Sequence, residues 1–187
     1  MLAREIVDKL VGLSLHPTLK TRGFKKSGRR FSRRHGSTQQ TIWLELSSWN
    51  RGSEGSFSVW VSVKFDEMGA DNPHPDFFSR IDGVTGLAPP AFDVNASIPL
   101  EHAAQRLNEI VVEDVVAPLD PVKSLADFES LGWADAMPWG FAARMAYHLG
   151  KDAEAASLIA REAAFFSDRG VTEDGLLERY RLYRLRR

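Results

Sequence analysis

The sequence predicts an α+β fold, in which a four-stranded antiparallel sheet packs with an N-terminal helix and a long helix and is followed by a C-terminal helical extension. Two kinds of apolar spacing predict this fold. Apolar and polar side chains alternate in residues 42–46 and 57–65, as in a strand with one buried face. Apolar side chains recur every three or four positions in residues 2–13 and 100–111, as on one face of a helix. With 187 residues and 43% hydrophobic content, the chain fits one compact domain with a sizeable core, or one domain with a small helical appendage.

The N-terminal helix is predicted from an apolar stripe formed by Leu2, Ile6, Leu10 and Leu13. Leu15 and Leu19 continue this stripe as far as Gly23, and glycine commonly follows a helix C-terminus. Pro17 is expected to end or kink the helix, because the residue before a proline is disfavoured in the α-helical conformation.

The four predicted strands cover residues 29–35, 40–49, 56–65 and 92–98. The second and third are joined by "NRGSEGS", a connection of hairpin length that is rich in Gly and Ser. The segment between the third and fourth strands holds four of the nine prolines, and we expect a long loop there with one helical turn at "DFFSRI". Loops of this length are uncommon unless they bind or cover something.

The long helix is predicted to start at Pro99 and to close near Pro118, and a short helix follows in "SLADFESLG". Residues 138–187 are rich in alanine and are predicted to be helical. A single helical hairpin cannot bury its own faces, so this segment should dock on the sheet. We therefore divide the chain into a sheet domain, residues 1–135, and a docked helical extension, residues 136–187.

Charge is segregated along the chain although the net charge is only −1. Residues 1–35 carry a net charge of +8, residues 36–135 carry −11 and residues 136–187 carry +2. Such a chain either neutralises itself in the fold or presents a two-signed surface to a partner. A net charge near zero favours self-neutralisation over a dedicated polyanion binder.

Four segments carry a family resemblance: "LKTRGFKKSGRRFSRR", "QTIWLELSSW", "FSVWVSVKF" and "LNEIVVEDVVAPLDPVKSLADFESLGW". In this order they resemble the bacterial domain of unknown function 4304 family over about residues 1–133. The residues that match its entry motif are Leu19, Lys20, Gly23, Phe24, Lys25 and Phe31. The Arg-Ile-Gly turn of that family occurs here as Arg80-Ile81-Asp82-Gly83. The resemblance implies a similar fold and brings no activity with it.

Several kinds of chemistry are excluded by the composition. The absence of cysteine excludes a disulfide framework, a thiolate nucleophile and a thiolate zinc site. The five histidines lack metal-ligand spacing, and no hydrolase, zinc-protease or phosphate-loop motif is present. We therefore assign no catalytic residue, metal or cofactor. No apolar run approaches the roughly 20 residues that cross a bilayer, and the charged N-terminus is unlike a signal peptide, which indicates a cytoplasmic protein without a membrane partner.

Trp43 and Trp60 are predicted to lie on neighbouring strands, on the sheet face opposite the aliphatic side chains. They can form a cross-strand pair that serves as a binding platform. The alternative is that the C-terminal helices cover this face and make it a second core. The alanine-rich helices of residues 138–187 need a surface to pack on, and this favours the arrangement in which they cover Trp43 and Trp60.

The arginines of "GFKKSGRRFSRR" raise the question of an anion-binding ribbon. Phe24 and Phe31 are seven residues apart, so both reach the core only if the chain turns at Ser27-Gly28. The four arginines, Arg29, Arg30, Arg33 and Arg34, then occupy both faces of a short strand. This pattern favours a sheet edge that charge protects against further pairing.

The leading functional hypothesis is a non-enzymatic protein-binding module of immunity or regulatory type. It is motivated by the charge pattern, the proline-containing loop and the missing catalytic motifs. The candidate binding residues are Arg29, Arg30, Arg33, Arg34, Trp43, Trp60 and Arg80. The alternative is a protein or enzyme that binds nucleic acid or a phosphorylated ligand through the basic ribbon of residues 20–34. Nucleic acid is disfavoured because few aromatic side chains near the ribbon are left to stack on bases. The oligomeric state is left open.

Overall fold

The computed structural model describes residues 2–69, 74–86, 91–94, 99–136 and 139–185. Within these residues the sheet has six strands, and every pairing is antiparallel. The strands are β1 (Lys25–Ser27), β2 (Arg30–His35), β3 (Thr38–Leu46), β4 (Gly55–Phe65), β5 (Phe77–Arg80) and β6 (Ala91–Val94). The order is β1-β2-β3-β4-β5, and β6 pairs with the start of β4. The predicted α+β class is confirmed, with two strands more than the four predicted.

The two additional strands are β1 and β5, which are too short to be recognised by alternation. β1 pairs with β2 through a tight turn in which Gly28 has a φ of +59°, so the turn predicted at Ser27-Gly28 is confirmed. β5 lies where a helical turn was expected, and that expectation is wrong: the helix begins only at Ile81, after the strand. Phe77 is buried whereas Phe78 is exposed, as strand geometry requires. The last four residues of the strand predicted at 92–98 lie outside the described residues.

Seven α-helices are present in the described ranges, together with four short 3-10 helices. They are α1 (residues 3–21), α2 (Ile81–Thr85), α3 (residues 100–119), α4 (Leu125–Glu129), α5 (Trp139–His148), α6 (Asp152–Phe165) and α7 (Glu173–Arg179). None of these helices is both long enough and apolar enough to cross a membrane.

The two long helices, α1 and α3, each contain a π-helical segment that ends two residues before a proline. In α1 the α-helix Ala3–Leu10 becomes π-helical at Val11–Leu15, and His16–Thr21 then continues through Pro17. α3 has the same arrangement before Pro118, with a π segment at Ile110–Val116. A π turn shifts the backbone hydrogen bonds by one residue, and it occurs here where proline cannot donate one. Pro17 therefore does not end α1.

The inner face of the sheet forms the main core. The side chains of β4 on this face, Phe57, Val59, Val61, Val63 and Phe65, are all buried against the helices. At one end of the sheet the core is aromatic: Phe65, Phe77, Phe128, Trp133 and Phe141 are in mutual ring contact. Phe141 belongs to α5, so the first C-terminal helix packs against the inner face. A charged contact supports this packing, because Arg144 donates to the buried carboxylate of Asp76 at 2.9 Å.

A second, smaller core lies between the C-terminal helices α5, α6 and α7. It contains Ala143, Ile159, Ala163, Leu176, Leu177 and Leu182. The Tyr180 ring packs against α5 at Gly140, where a Cβ would collide with the ring. The Tyr180 hydroxyl donates to Glu162 at 2.7 Å, and Glu162 is itself buried.

This contact makes stability depend on pH in the alkaline range. Burial, and secondarily the hydrogen bond to Glu162, raise the pKa of Tyr180 to about 12. Because the folded-state pKa lies above the unfolded value of about 10, the stabilisation is complete below pH ~10 and is lost as the pH rises towards ~12. We expect urea unfolding between these pH values to show a steeper loss of stability for the native chain than for Tyr180→Phe. Parallel curves for the two proteins would contradict this prediction.

Candidate functional site

The outer face of the sheet carries three rows of side chains that run across the strands. The aromatic row consists of Arg30, Trp43, Trp60 and Arg80 on β2 to β5. The next row, which we call the hydroxyl row, consists of Ser32, Thr41 and Ser62 and ends at Phe78 on β5. The third row consists of Arg34, Gln39 and Lys64. Antiparallel pairing places directly opposed side chains about 5 Å apart, so the members of each row are neighbours.

The aromatic side chains of the outer face are in contact with one another. The Trp43 and Trp60 rings are nearly parallel, with centroids 5.8 Å apart, and the Phe78 ring lies 6.5 Å from Trp60. The Arg30 guanidinium lies over the other side of Trp43, 5.4 Å from the ring centroid. The cross-strand tryptophan pair expected from the sequence is therefore formed. Trp43 is held between a cation and a second indole, so both of its ring faces have neighbours.

A groove of about 400 Å³ lies beside the aromatic row. Its lining residues are Arg30, Gln39, Thr41, Trp43, Ser62, Lys64, His74, Pro75 and Phe78. The small side chains of Thr41 and Ser62 form the floor, and the Ser32 and Thr41 hydroxyls are hydrogen-bonded at 3.2 Å. We call this feature the hydroxyl groove. Among the residues that the structure describes, its lining includes the basic side chains of Arg30 and Lys64 and no aspartate or glutamate.

The helices of residues 136–187 contact the inner face, and none of their described residues lines the hydroxyl groove. The expectation that they cover Trp43 and Trp60 is wrong. The reason is that Phe141 packs into the aromatic end of the inner core. Trp43 and Trp60 are half-buried, and 48% of Phe78 is exposed.

The four arginines of the basic ribbon point to different partners. Arg29 donates to Asp8 of α1 at 2.7 and 3.0 Å, and Arg34 pairs with Asp66. β1 pairs with residues 30–32 of β2 and is the outermost strand, so the hairpin that carries the basic ribbon lies at the sheet edge, as expected. Three of the four arginines, Arg29, Arg33 and Arg34, are thus engaged in separate ion pairs within the chain.

Arg33 is a buried structural cation. Its side chain is 7% exposed and donates to Gln40 at 2.8 Å and to Asp120 at 2.7 Å. Asp120 also pairs with Arg22, and the Arg33 guanidinium lies 4.5 Å from the Phe24 ring centroid. The basic N-terminal block and the acidic middle block therefore meet inside the fold, as the charge segregation predicted.

Arg80 lies at the β5 end of the aromatic row, directly opposite Trp60. Its guanidinium pairs with Asp82 at 3.2 Å, and the side chain remains 43% exposed. Phe78, on the same strand, was not among the residues singled out from the sequence. The pair Phe77-Phe78 shows no polar alternation, so the strand that turns Phe78 outward gives no sequence signal.

No group of three histidine, aspartate or glutamate side chains in the described ranges is arranged to hold a metal ion. The fold and the outer face define an α+β protein with an aromatic and cationic sheet surface. Residues 15–139 match the family model described as Domain of unknown function (DUF4304), which covers more than half of the chain. The chain belongs to this family, as the sequence motifs indicated. The match includes all six strands, α3 and α4, and it ends where α5 begins. Comparison with curated proteins and with solved structures gives no match.

Proposed function

We propose that the protein is a non-enzymatic, cytoplasmic protein-binding module of immunity or regulatory type, and that it holds its partner protein at the hydroxyl groove. The observation that carries this proposal is the stacked row of Arg30, Trp43 and Trp60 with the half-exposed Phe78 beside it. Aromatic and arginine side chains dominate the binding energy of protein interfaces. Neighbouring serine and threonine hydroxyls offer hydrogen bonds to a partner backbone.

The alternative, binding of nucleic acid or of a phosphorylated ligand by residues 20–34, has weaker support. A common grip by Arg29, Arg33 and Arg34 would require three ion pairs to break. Breaking the Arg33 pair would leave a buried charge, which is strongly destabilising. In the hydroxyl groove, by contrast, Arg30 packs over the Trp43 ring and is exposed.

Site-specific photocross-linking in cells of the source organism tests the proposal. A benzophenone amino acid at Gln39, an exposed residue of the groove, should capture a discrete protein partner. The same amino acid at Lys9, an exposed residue of α1, is the matched control and should not capture that protein. Equal capture at both positions, or capture only at Lys9, would refute the assignment of the partner to this face.

A further inference from the structure

We infer that the chain forms a two-fold symmetric dimer through the exposed sides of helices α1 and α3. This surface lies on the opposite side of the molecule from the hydroxyl groove, so the inference goes beyond the proposed function and does not depend on it. The buried sides of both helices pack on the inner face of the sheet. Between their exposed sides lies a groove of about 430 Å³, which we call the helix groove. Its lining includes Leu13, Pro17 and Thr18 of α1 and Glu101, Ala104 and Gln105 of α3.

Leu13 is a large apolar side chain that projects at the helix groove. It belongs to the apolar stripe predicted for the N-terminal helix, in which Ile6 and Leu10 are buried. The π-helical segment Val11–Leu15 interrupts the α-helical period of that stripe. Leu13 is 59% exposed instead of buried. A second copy that covers Leu13 removes this apolar area from water, which favours association.

Gly12 forms a recess next to this projection. It lies on the exposed side of α1, and a Cβ at this position would meet no atom of the described residues within 4 Å. Glycine weakens a helix relative to alanine, and here it lets the backbone of another chain approach closely. A two-fold interface pairs a surface with itself, so a projection and a recess on the same face can each receive the other from the second copy.

The two helices expose opposite net charges. The exposed charged side chains of α3 are four acidic and one basic: Glu101, Arg106, Glu109, Glu113 and Asp114. Those of α1 are three basic and two acidic: Arg4, Glu5, Asp8, Lys9 and Lys20. A dimer that lays α1 of one copy on α3 of the other brings unlike net charges together, whereas α3 on α3 would bring like charges together.

The size of the face sets the expected strength of the dimer. Each helix is about 30 Å long and about 10 Å wide, so the two exposed sides offer roughly 600 Å² per copy. A dimer that buries about 1,200 Å² in total is at the lower limit of stable interfaces, and we expect a dissociation constant of about 1–100 µM. Both hydroxyl grooves stay accessible in this arrangement, because they lie on the outer face of each sheet.

Sedimentation equilibrium between about 1 and 500 µM tests the inference, and the native chain should pass from monomer to dimer in this range. Leu13→Ser removes the projection and Gly12→Gln fills the recess, and each should raise the dissociation constant at least about tenfold. Phe78→Ser is the matched control, because it changes an exposed apolar side chain on the opposite face, and it should leave the dissociation constant unchanged. Urea unfolding of each variant at a concentration where it is monomeric checks that the fold is intact.

Charge-reversal variants test which helices meet. The variant with Lys9→Glu and Lys20→Glu makes α1 acidic, and the variant with Glu101→Lys and Glu109→Lys makes α3 basic. Each variant alone then opposes helices of like net charge, so its self-association should weaken. An equal mixture of the two should form the heterodimer, because unlike charges meet at both contacts between α1 and α3.

Four results would overturn the inference: a monomer at about 500 µM, a dimer that neither Leu13→Ser nor Gly12→Gln weakens, a dimer that Phe78→Ser abolishes, or no heterodimer in the charge-reversed mixture. Photocross-linking at Lys9 in cells should capture a second copy of the chain, which its sequence distinguishes from the partner protein captured at Gln39. Capture of a partner at Gln39 by a monomeric chain overturns the dimer and leaves the proposed function standing.

Discussion

Asp120→Ala is expected to lower the free energy of unfolding by about 3–5 kcal/mol. The substitution removes the carboxylate that pairs with Arg22 and with the buried Arg33. Because the Arg33 side chain is only 7% exposed, water cannot replace the lost partner. A charge left buried without a counter-ion is among the largest single-residue costs in a folded protein. Urea unfolding followed by tryptophan fluorescence measures the change.

The ion pair of Arg34, the residue after Arg33 on β2, provides a matched control. Asp66→Ala also removes an aspartate from an arginine, but its partner, Arg34, has a side chain that is 60% exposed. An exposed pair of this kind contributes about 0–1 kcal/mol. Similar losses for Asp120→Ala and Asp66→Ala would show that Arg33 is hydrated in the folded protein and would contradict the prediction.

The difference in burial between Arg33 and Arg34 also explains why the roles of the arginines were not predictable from the sequence of residues 20–34. Alternation along a strand places Arg33 on one face and Arg34 on the other. It does not tell which face is buried beneath another element. Asp120 lies 87 residues further along the chain, and no local pattern connects it to Arg33.

Most of the sheet was predictable because its strands are long enough to show their period. Residues 57–65 place an apolar side chain at every second position, and they form all of β4 except its first two residues. The face on which Trp43 and Trp60 meet follows from the same alternation. β5 was missed because four residues with two adjacent phenylalanines show neither a helical nor a strand period. Phe78, a wall of the groove, was missed for the same reason.

The placement of the C-terminal helices could not be read from their composition. Alanine-rich helices can pack on any surface that needs cover, and both faces of the sheet carry large aromatic side chains. The packing of α5 on the inner face depends on two of its residues. Phe141 contacts Phe77, the first residue of β5, and Arg144 pairs with Asp76, the residue before β5. Since the sequence did not predict β5, it could not predict this contact.

The aromatic end of the inner core leads to the second large effect. Phe128→Ala is expected to lower the free energy of unfolding by about 3–5 kcal/mol, the usual range for removing a buried phenylalanine. Phe128 is fully buried in the short helix α4. Its ring centroid lies 4.9 Å from that of Phe77 and 5.1 Å from that of Phe65. The cavity would lie between the sheet, α4 and α5, whose own packing limits collapse.

Phe128 also contacts Phe141 of α5, at 5.9 Å between centroids, so its loss should weaken the sheet and the C-terminal helices together. We expect tryptophan fluorescence and far-UV circular dichroism to report the same shifted urea midpoint, as for one cooperative unit. Phe165→Ala, at a site that is 65% exposed in α6 with its ring 4.8 Å from that of Phe166, is the control and should lower stability by no more than about 1.5 kcal/mol. A lower fluorescence midpoint with an unchanged helical signal would show that residues 136–187 fold independently of the sheet. A loss below about 1 kcal/mol would show that the neighbouring rings close the cavity.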